Sequence, residues 1–251
     1  MKQIAAFFDI DGTIYRNSLM IEHFKKLIKY ELLDVESYQE HVEEAFKLWD
    51  TRVGDYDEYL DKLVEAYVKA MEGLPVSYND FISDQVVYLK GNRVYSYTRD
   101  QIKWHKEQGH KVIFISGSPD FLVSRMAEKW GADDFRASVY KLDEQGKQYS
   151  GEIIPMWDSK HKIKALEEFQ KEYNIDLSKS YAYGDTNGDF SMLMSVGFPR
   201  AINPSRELVF KIKETPYLQE KAKIIIERKD VVYELDAVSY THLTLPTKLE
   251  V

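Results

Sequence analysis

The chain has 251 residues, of which 44% are hydrophobic and 30% are charged, proportions that are typical of a globular protein. Its formal net charge of −8 disfavours broad binding to nucleic acid or to an anionic membrane. It contains no cysteine, which excludes a disulfide framework and a thiol nucleophile and fits a reducing cytoplasm. No stretch approaches the roughly 20 apolar residues of a membrane-spanning helix, so we expect a cytoplasmic protein without a membrane partner.

The first predicted element is a strand at Ile4–Phe8, which leads directly into Asp9-Ile10-Asp11-Gly12-Thr13. Because the run lacks polar alternation, it predicts a strand buried on both faces of a parallel sheet. It is too short, and too soon followed by acidic residues, to be a secretory signal. Ligands of open α/β sheets bind beyond the carboxyl ends of strands. We therefore expect Asp9 and Asp11 at a ligand site. Two carboxylates so close together repel each other unless a cation or a shared proton lies between them, and a divalent metal would suit chemistry on an anion.

Residues 17–95 are predicted to form a helical domain inserted after this strand. Apolar residues recur there at three- and four-residue spacing, and glycines separate the segments. The predicted helices are Ser18–Tyr30, Val35–Trp49, Tyr56–Met71 and Asn79–Leu89.

From Tyr97 onwards, predicted strands and helices alternate. This alternation predicts an α/β fold: a doubly wound, Rossmann-like parallel sheet formed by residues 1–16 and 96–236, with residues 17–95 as an inserted helical cap domain. Glu144–Lys147 has the composition of a hairpin turn. The predicted helices are Thr98–Gln108, Phe121–Trp130 and Lys162–Tyr173, and the predicted strands are Lys111–Ile115, Ser138–Leu142, Gln148–Ile153, Ser180–Tyr183, Pro199–Ile202 and Lys223–Ile226.

Residues 237–251 are predicted to be a disordered tail that is foreign to the native protein. Val238–Thr247 resembles a translated sequencing-library adapter of the transposase type. The alternative is a native tail without regular structure, and on either interpretation His242 is not counted as a ligand.

Three polar motifs follow predicted strands or begin a predicted helix. Ser116-Gly117-Ser118 follows the second buried strand, where a hydroxyl and backbone N–H groups can hold a phosphate-sized oxyanion. Lys162 begins a helix from which its ammonium group can reach the same anion. Gly184–Asp189 (GDTNGD) follows a third strand and adds two carboxylates. Oxygen ligands without a histidine or cysteine cluster indicate Mg²⁺ rather than zinc.

Together, DIDGT, the Ser-Gly turn, the lysine and GDTNGD resemble the haloacid dehalogenase superfamily of phosphotransferases. The helical insertion after the first motif is similar to its phosphoserine-phosphatase-like branch, and the resemblance covers about Lys2 to Asp236. It implies a Mg²⁺-dependent phosphatase that hydrolyses a small phosphorylated metabolite, with phosphoserine as one candidate. A phosphotransferase or mutase is the alternative, and a non-catalytic phosphate-binding module is disfavoured because every reacting group is present.

The resemblance also implies roles for the acidic residues. Asp9 would attack phosphorus and form an aspartyl-phosphate, which divides one difficult step into two easier ones. Asp11 would act as general acid and then as general base. Asp9 and Asp185 would bind Mg²⁺, with the backbone carbonyl of Asp11 completing the shell and Asp189 supporting it through water or a neighbouring ligand. Asp189 has a structural alternative as the N-cap of a helix at Phe190–Val196.

Ser116, the Gly117 N–H group and Lys162 would hold the phosphoryl oxygens, where charge accumulates in the transition state. Lys160 and Lys164 are rivals for the lysine position, and a merely solvated lysine is the structural alternative. The structural alternative for Ser116-Gly117 is a turn that binds no ligand.

The substrate-recognition residues of phosphoserine phosphatases are only partly matched. Those enzymes usually carry a glutamate in the first cap helix and an arginine in a later one. The first position corresponds here to Ser18, with Glu22 one turn further on, while Tyr56–Met71 contains no arginine and Arg52 lies before it. Lysine does not reproduce the arginine fork, so the carboxylate clamp of these enzymes is missing from that helix.

Overall fold

The structure is a computed structural model that describes residues 2–33, 42–51, 53 and 56–238. The first part of the helix predicted at Val35–Trp49, Arg52, and the predicted tail from residue 239 onwards lie outside the described residues.

The chain divides into two compact units. The first contains Met1–Ser18, Gly91–Ser138 and Pro155–Val251, and the second contains Leu19–Lys90 and Val139–Ile154. The division differs from the predicted boundaries at residues 17–18 and 91–95, which join the first unit, and at residues 139–154, which join the second. The latter segment belongs with the helices because it shares backbone hydrogen bonds with them, from Gly73 N to Tyr149 O at 2.9 Å and from Tyr149 N to Leu74 O at 3.1 Å.

The first unit is built on a mainly parallel sheet, as the sequence predicts. The order is β3-β2-β1-β5-β6-β7-β8, with β8 antiparallel to β7 and the other pairs parallel. Because the chain leaves β1 for β2 on one side and returns to β5 on the other, the carboxyl ends of β1 and β5 form the topological switch point. The strands are β1 (Ala5–Phe8), β2 (Lys111–Pro119), β3 (Asp134–Leu142), β5 (Tyr181–Gly184), β6 (Phe198–Ile202), β7 (Lys223–Arg228) and β8 (Val231–Asp236).

The central strand is buried on both faces. Phe7 belongs to an apolar cluster with residues such as Phe169, and Phe8 stacks on Tyr183. The second unit contributes α1 (Leu19–Lys29), α2 (Glu43–Asp50), α3 (Tyr56–Met71) and α4 (Val76–Lys90). The helices of the first unit are α5 (Ser96–Glu107), α6 (Asp120–Trp130), α7 (Ser159–Glu172), α8 (Phe190–Met194), α9 (Arg206–Glu214) and α10 (Pro216–Lys221), with single 3₁₀ turns at Leu177–Lys179 and Asn187–Asp189.

The second unit also contains a hairpin, in which the last part of β3 pairs antiparallel with β4 (Tyr149–Ile154). Two buried polar contacts hold this unit together. The hydroxyl of Tyr67 lies 2.7 Å from His23 Nδ1, and the side-chain amide of Asn79 donates to the Tyr149 hydroxyl at 2.6 Å. Both contacts satisfy polar groups that would otherwise be costly to bury.

Within the described part of the chain, none of the helices combines the length and the apolar character needed to cross a membrane.

Candidate active site

Asp9 and Asp185 lie side by side because the strands that carry them are neighbours. Phe8 pairs with Tyr183 in the parallel ladder, and the Asp9 N–H donates to Tyr183 O at 3.0 Å. Thr13 donates its hydroxyl to Asp185 Oδ1 at 2.9 Å. Gly12 has a φ of 83°, and a Cβ atom there would overlap the Asp185 carboxylate, so only glycine fits this turn.

An aromatic layer fixes the two strands just before these aspartates. The rings of Phe8 and Tyr183 are stacked, with centroids 4.1 Å apart and planes within 4°. The Tyr183 hydroxyl contacts His105 Nε2 at 2.8 Å and donates to Gln101 Oε1 at 3.0 Å. Burial, with smaller contributions from His110 and Arg200, lowers the pKa of His105 to about 3, so its imidazole is neutral. The layer therefore aligns β1 and β5 without placing a charge beneath the site.

Lys162 joins the aspartates from helix α7. Its ammonium group lies 2.6 Å from Oδ1 of Asp9 and 2.6 Å from Oδ1 of Asp189, and its side chain is buried. The Asp158 side chain caps the helix by accepting from the His161 N–H at 2.9 Å, which fixes the first turn that carries the lysine. Lys160 and Lys164 are exposed, so Lys162 is the one of the three that reaches Asp9.

Asp189 is fully buried, and both of its oxygens are engaged. Oδ1 accepts from Lys162, and Oδ2 accepts from the backbone N–H groups of Asp185 and Thr186 at 3.0 Å each. Although Asp189 precedes helix α8, its side chain makes no capping bond to that helix, so the N-cap alternative is not the role observed. Asp189 instead ties the lysine to the turn that carries Asp185.

The buried charges of the site do not balance. Burial, with smaller contributions from Asp189 and Asp11, raises the pKa of Asp9 to about 8 against the opposing effect of Lys162. Burial also raises the pKa of Asp185 well above its usual value, with added repulsion from Asp9 and Asp189. Burial lowers the pKa of Lys162, but attraction to Asp189 and Asp9 outweighs it and holds the lysine charged.

The donor set fits a hard divalent cation. One carboxylate oxygen from each of Asp9, Asp185 and Asp189 lies within 4.8 Å of the other two. These three carboxylates face one ammonium group, which leaves a deficit of two positive charges in a buried place. Oxygen donors and that deficit suit Mg²⁺. The Asp11 carboxylate is not part of this group, and coordination by its backbone carbonyl stays a prediction.

Asp11 is held by two serine hydroxyls. Ser118 donates to its Oδ2 atom at 2.6 Å, and Ser18 donates to the same atom at 3.1 Å. Ser18, which is matched from the sequence to the substrate-pairing glutamate of phosphoserine phosphatases, contacts Asp11 through its hydroxyl in this structure. From the sequence, Ser118 was noted only as part of the Ser-Gly-Ser turn. Its contact with Asp11 was not predicted, because the two residues are 107 positions apart in the chain.

Ser116 and Gly117 lie beside this acid at the end of β2. The buried Ser116 Oγ accepts a hydrogen bond from the Ser118 N–H at 3.2 Å. This contact does not use the hydroxyl hydrogen of Ser116. A Cβ atom at Gly117 would lie 2.8 Å from the Cβ of Trp157, so glycine lets the 155–158 segment pack closely. Trp157 is therefore a neighbour of the site that no motif predicted. Phosphate binding by Ser116 and Gly117 stays a prediction.

Paired aspartates at a switch point, joined by a buried lysine, define a hydrolase or transferase site for an anionic substrate. The sequence model of the haloacid dehalogenase-like hydrolases matches residues 6–194. The chain belongs to this family, as the motifs predict.

Individual relatives are phosphatases or are named for a cellular effect. The chain is 27% identical over 210 residues to an "inhibition of morphological differentiation protein" of Streptomyces azureus (83% of this chain, 74% of the relative). It is 25% identical over 232 residues to a phosphoserine phosphatase of Methanocaldococcus jannaschii (92% and 95%). It is 23% identical over 219 residues to a histidinol-phosphatase of Neisseria meningitidis (85% and 96%).

A solved structure supports the fold. The phospho-aspartyl intermediate analogue of a phosphoserine phosphatase superposes with a TM-score of 0.59 at 23% identity, covering 92% of this chain and 96% of that chain. The family match, the named relatives and this likeness confirm the predictions of a Rossmann-like α/β fold and of a haloacid dehalogenase-type phosphatase.

Proposed function

We propose that this phosphatase hydrolyses a small phosphomonoester with Mg²⁺ as its cofactor and forms an aspartyl-phosphate on Asp9. The observation that carries the proposal is the convergence of Asp9, Lys162, Asp185 and Asp189 at one edge of the sheet. The helical second unit is proposed to be the cap domain of the phosphoserine-phosphatase-like branch. A cytoplasmic location stays an expectation from composition.

In the first step, a carboxylate oxygen of Asp9 forms a bond to phosphorus while the bond from phosphorus to the leaving oxygen breaks. Asp11 donates its proton to that oxygen, which departs as an alcohol. Lys162 holds Asp9 in place and favours its carboxylate form, which opposes the effect of burial on the pKa of Asp9.

In the second step, a water molecule attacks the phosphorus of the aspartyl-phosphate. Asp11, now ionised, accepts a proton from this water as the bond from phosphorus to Asp9 breaks. Inorganic phosphate leaves, Asp9 is regenerated, and Asp11 is again protonated for the next cycle.

Ser116, the Gly117 N–H group and Lys162 are proposed to bind the equatorial phosphoryl oxygens. Asp9, Asp185 and the Asp11 carbonyl are proposed to hold Mg²⁺, with Asp189 fixing the turn behind Asp185. When bound, Mg²⁺ offsets negative charge on the carboxylates and on the phosphoryl oxygens.

Phosphoserine is the first substrate to test, since a phosphoserine phosphatase is among the relatives. The chain is also related to a histidinol-phosphatase, and Ser18 contacts Asp11 in this structure. The proposed substrate class is therefore small phosphorylated metabolites, without restriction to phosphoserine.

The test is a panel of phosphorylated metabolites and an aryl phosphate, assayed for free orthophosphate with wild-type protein and Asp9→Asn. We expect orthophosphate release that requires Mg²⁺ and disappears in Asp9→Asn. Transfer of the phosphoryl group to an acceptor without orthophosphate would identify the phosphotransferase or mutase alternative. Undiminished turnover by Asp9→Asn would overturn the nucleophile assignment.

A further inference from the structure

Two hydroxyl groups converge on a single oxygen of Asp11. Ser118 Oγ lies 2.6 Å and Ser18 Oγ lies 3.1 Å from Asp11 Oδ2. Both serines are nearly buried, at 4% and 7% exposure. In both contacts the serine hydroxyl is the donor and the carboxylate oxygen is the acceptor.

Ser118 is a rigid donor because strand β2 holds its backbone. Its N–H donates to Ser116 Oγ at 3.2 Å, and the next residue, Pro119, pairs with Ser138 in β3. Ser138 in turn donates to Gly117 O at 2.7 Å, which fixes the peptide unit just before Ser118. The position of the Ser118 hydroxyl is therefore set by the sheet before any substrate binds.

We propose that Ser118, assisted by Ser18, is a positioning residue that anchors Oδ2 of Asp11 and so fixes the orientation of the carboxyl group that transfers the proton. This inference rests on the proposed role of Asp11 as general acid and base. Asp11 donates its proton to the leaving oxygen as the phosphorus–oxygen bond breaks. It takes a proton from the attacking water in the second step.

The anchor matters because the terminal torsion of an aspartate side chain is broad and intrinsically poorly fixed. General acid catalysis requires the proton-bearing oxygen within about 2.6–3.2 Å of its partner. Two hydroxyls on Oδ2 select one orientation of the carboxylate plane. Without them, only a fraction of molecules hold the carboxyl group of Asp11 in that orientation.

The test is a leaving-group series with the full chain and Mg²⁺, running from dinitrophenyl phosphate to a simple alkyl phosphate. An alkoxide leaving group needs a proton, whereas dinitrophenolate departs without one. For Ser118→Ala we expect kcat/KM to fall about tenfold on the alkyl phosphate, a part of the general-acid contribution, and to change little on dinitrophenyl phosphate. Ser118→Thr, which keeps the hydroxyl, is expected to restore much of the loss.

Ser180→Ala is the matched control, because Ser180 is also a buried serine whose hydroxyl bridges Ala5 N and Asp176 O at 3.0 and 2.7 Å. We expect it to lower the melting temperature without changing the leaving-group dependence. If Ser118→Ala fails to fold, Ser18→Ala is measured in the same series, with a smaller loss of the same kind expected.

A double-mutant comparison separates this inference from the function on which it depends. Asp11→Asn is expected to show the steepest leaving-group dependence, and adding Ser118→Ala to it is expected to change nothing further. Equal losses by Ser118→Ala on all leaving groups, or a full additional loss in the Asp11→Asn background, would overturn the positioning role. Equal losses by Asp11→Asn itself would instead overturn the general-acid assignment.

Discussion

The ammonium group of Lys162 lies 2.6 Å from Oδ1 of Asp9, although the two residues are 153 positions apart in the chain. Both side chains are almost fully buried, at 3% and 7% exposure. Removing one partner of such a pair leaves an uncompensated charge in a low-dielectric place, which is strongly destabilising. The lysine therefore has two separable effects, on the stability of the site and on the reactivity of Asp9.

Replacing Lys162 by methionine tests both effects. We expect kcat/KM for orthophosphate release to fall by at least about 100-fold, since a charged group aimed at the reacting oxygens is lost. We also expect the free energy of unfolding to fall by about 3 kcal/mol in metal-free buffer. Lys164→Met, on the exposed side of the same helix, is the matched control and should match wild type in both measurements. Wild-type turnover by Lys162→Met would contradict its proposed role.

Replacing Asp185 by asparagine tests the proposed metal site. We expect Asp185→Asn to raise the Mg²⁺ concentration required for half-maximal activity by at least about tenfold, because a ligand charge is lost. Asp100→Asn, a change of the same kind on the surface, should have no effect. Titration calorimetry with Mg²⁺ alone provides a readout that is independent of turnover. Full activity of wild-type protein in excess chelator would exclude the proposed cofactor.

The pH dependence of stability follows from the raised pKa of Asp9, which burial moves from 3.8 to about 8. In this window the folded state keeps a proton that the unfolded state releases, so the free energy of unfolding falls as pH rises. In the presence of chelator, the titration of Asp9 alone is expected to lower the free energy of unfolding by roughly 1 kcal/mol per pH unit between about pH 4 and pH 8. Thermal unfolding across this range measures the slope.

Asp9→Asn is the matched variant for this experiment, because an amide of the same shape does not titrate. Its slope in chelator should be shallower than that of wild type, and Mg²⁺ should stabilise the wild type more at pH 8 than at pH 5. Identical slopes for the two proteins would show that Asp9 does not titrate in this window.

Local patterns were sufficient to predict the central part of the fold. The apolar run before Asp9 and the alternation after Tyr97 correspond to the central strand and the parallel sheet observed. The exposed edge strand β8 was not predicted, because Val231, Val232 and Tyr233 all remain accessible and leave no buried pattern. Helices α9 and α10, between β6 and β7, were not predicted. Helix α10 has only six residues, too few to repeat an apolar period, whereas α9 does carry Leu208, Val209 and Ile212 at helical spacing.

The candidate site, like the fold, could be predicted only in part from local sequence patterns. Carboxylates at strand ends could be anticipated, since parallel strands deliver them to one edge of the sheet. Three findings depend instead on contacts between distant segments: the hold of Ser118 on Asp11, the engagement of both Asp189 oxygens, and the packing of Trp157 against Gly117. The helical spacing favoured Lys162 over its rivals Lys160 and Lys164, but the three lysines differ in burial only once the helix has docked.

The most direct test of the account is to trap the covalent intermediate. Wild-type protein and Asp11→Asn are mixed with a ³²P-labelled aryl phosphate and Mg²⁺, quenched in acid, digested and analysed by mass spectrometry. We predict an acid-stable, base-labile phosphoryl group on Asp9, which accumulates more in Asp11→Asn because the water that hydrolyses it lacks its base. Turnover with no phosphoryl group on Asp9, or with the label on another residue, would contradict the central claim.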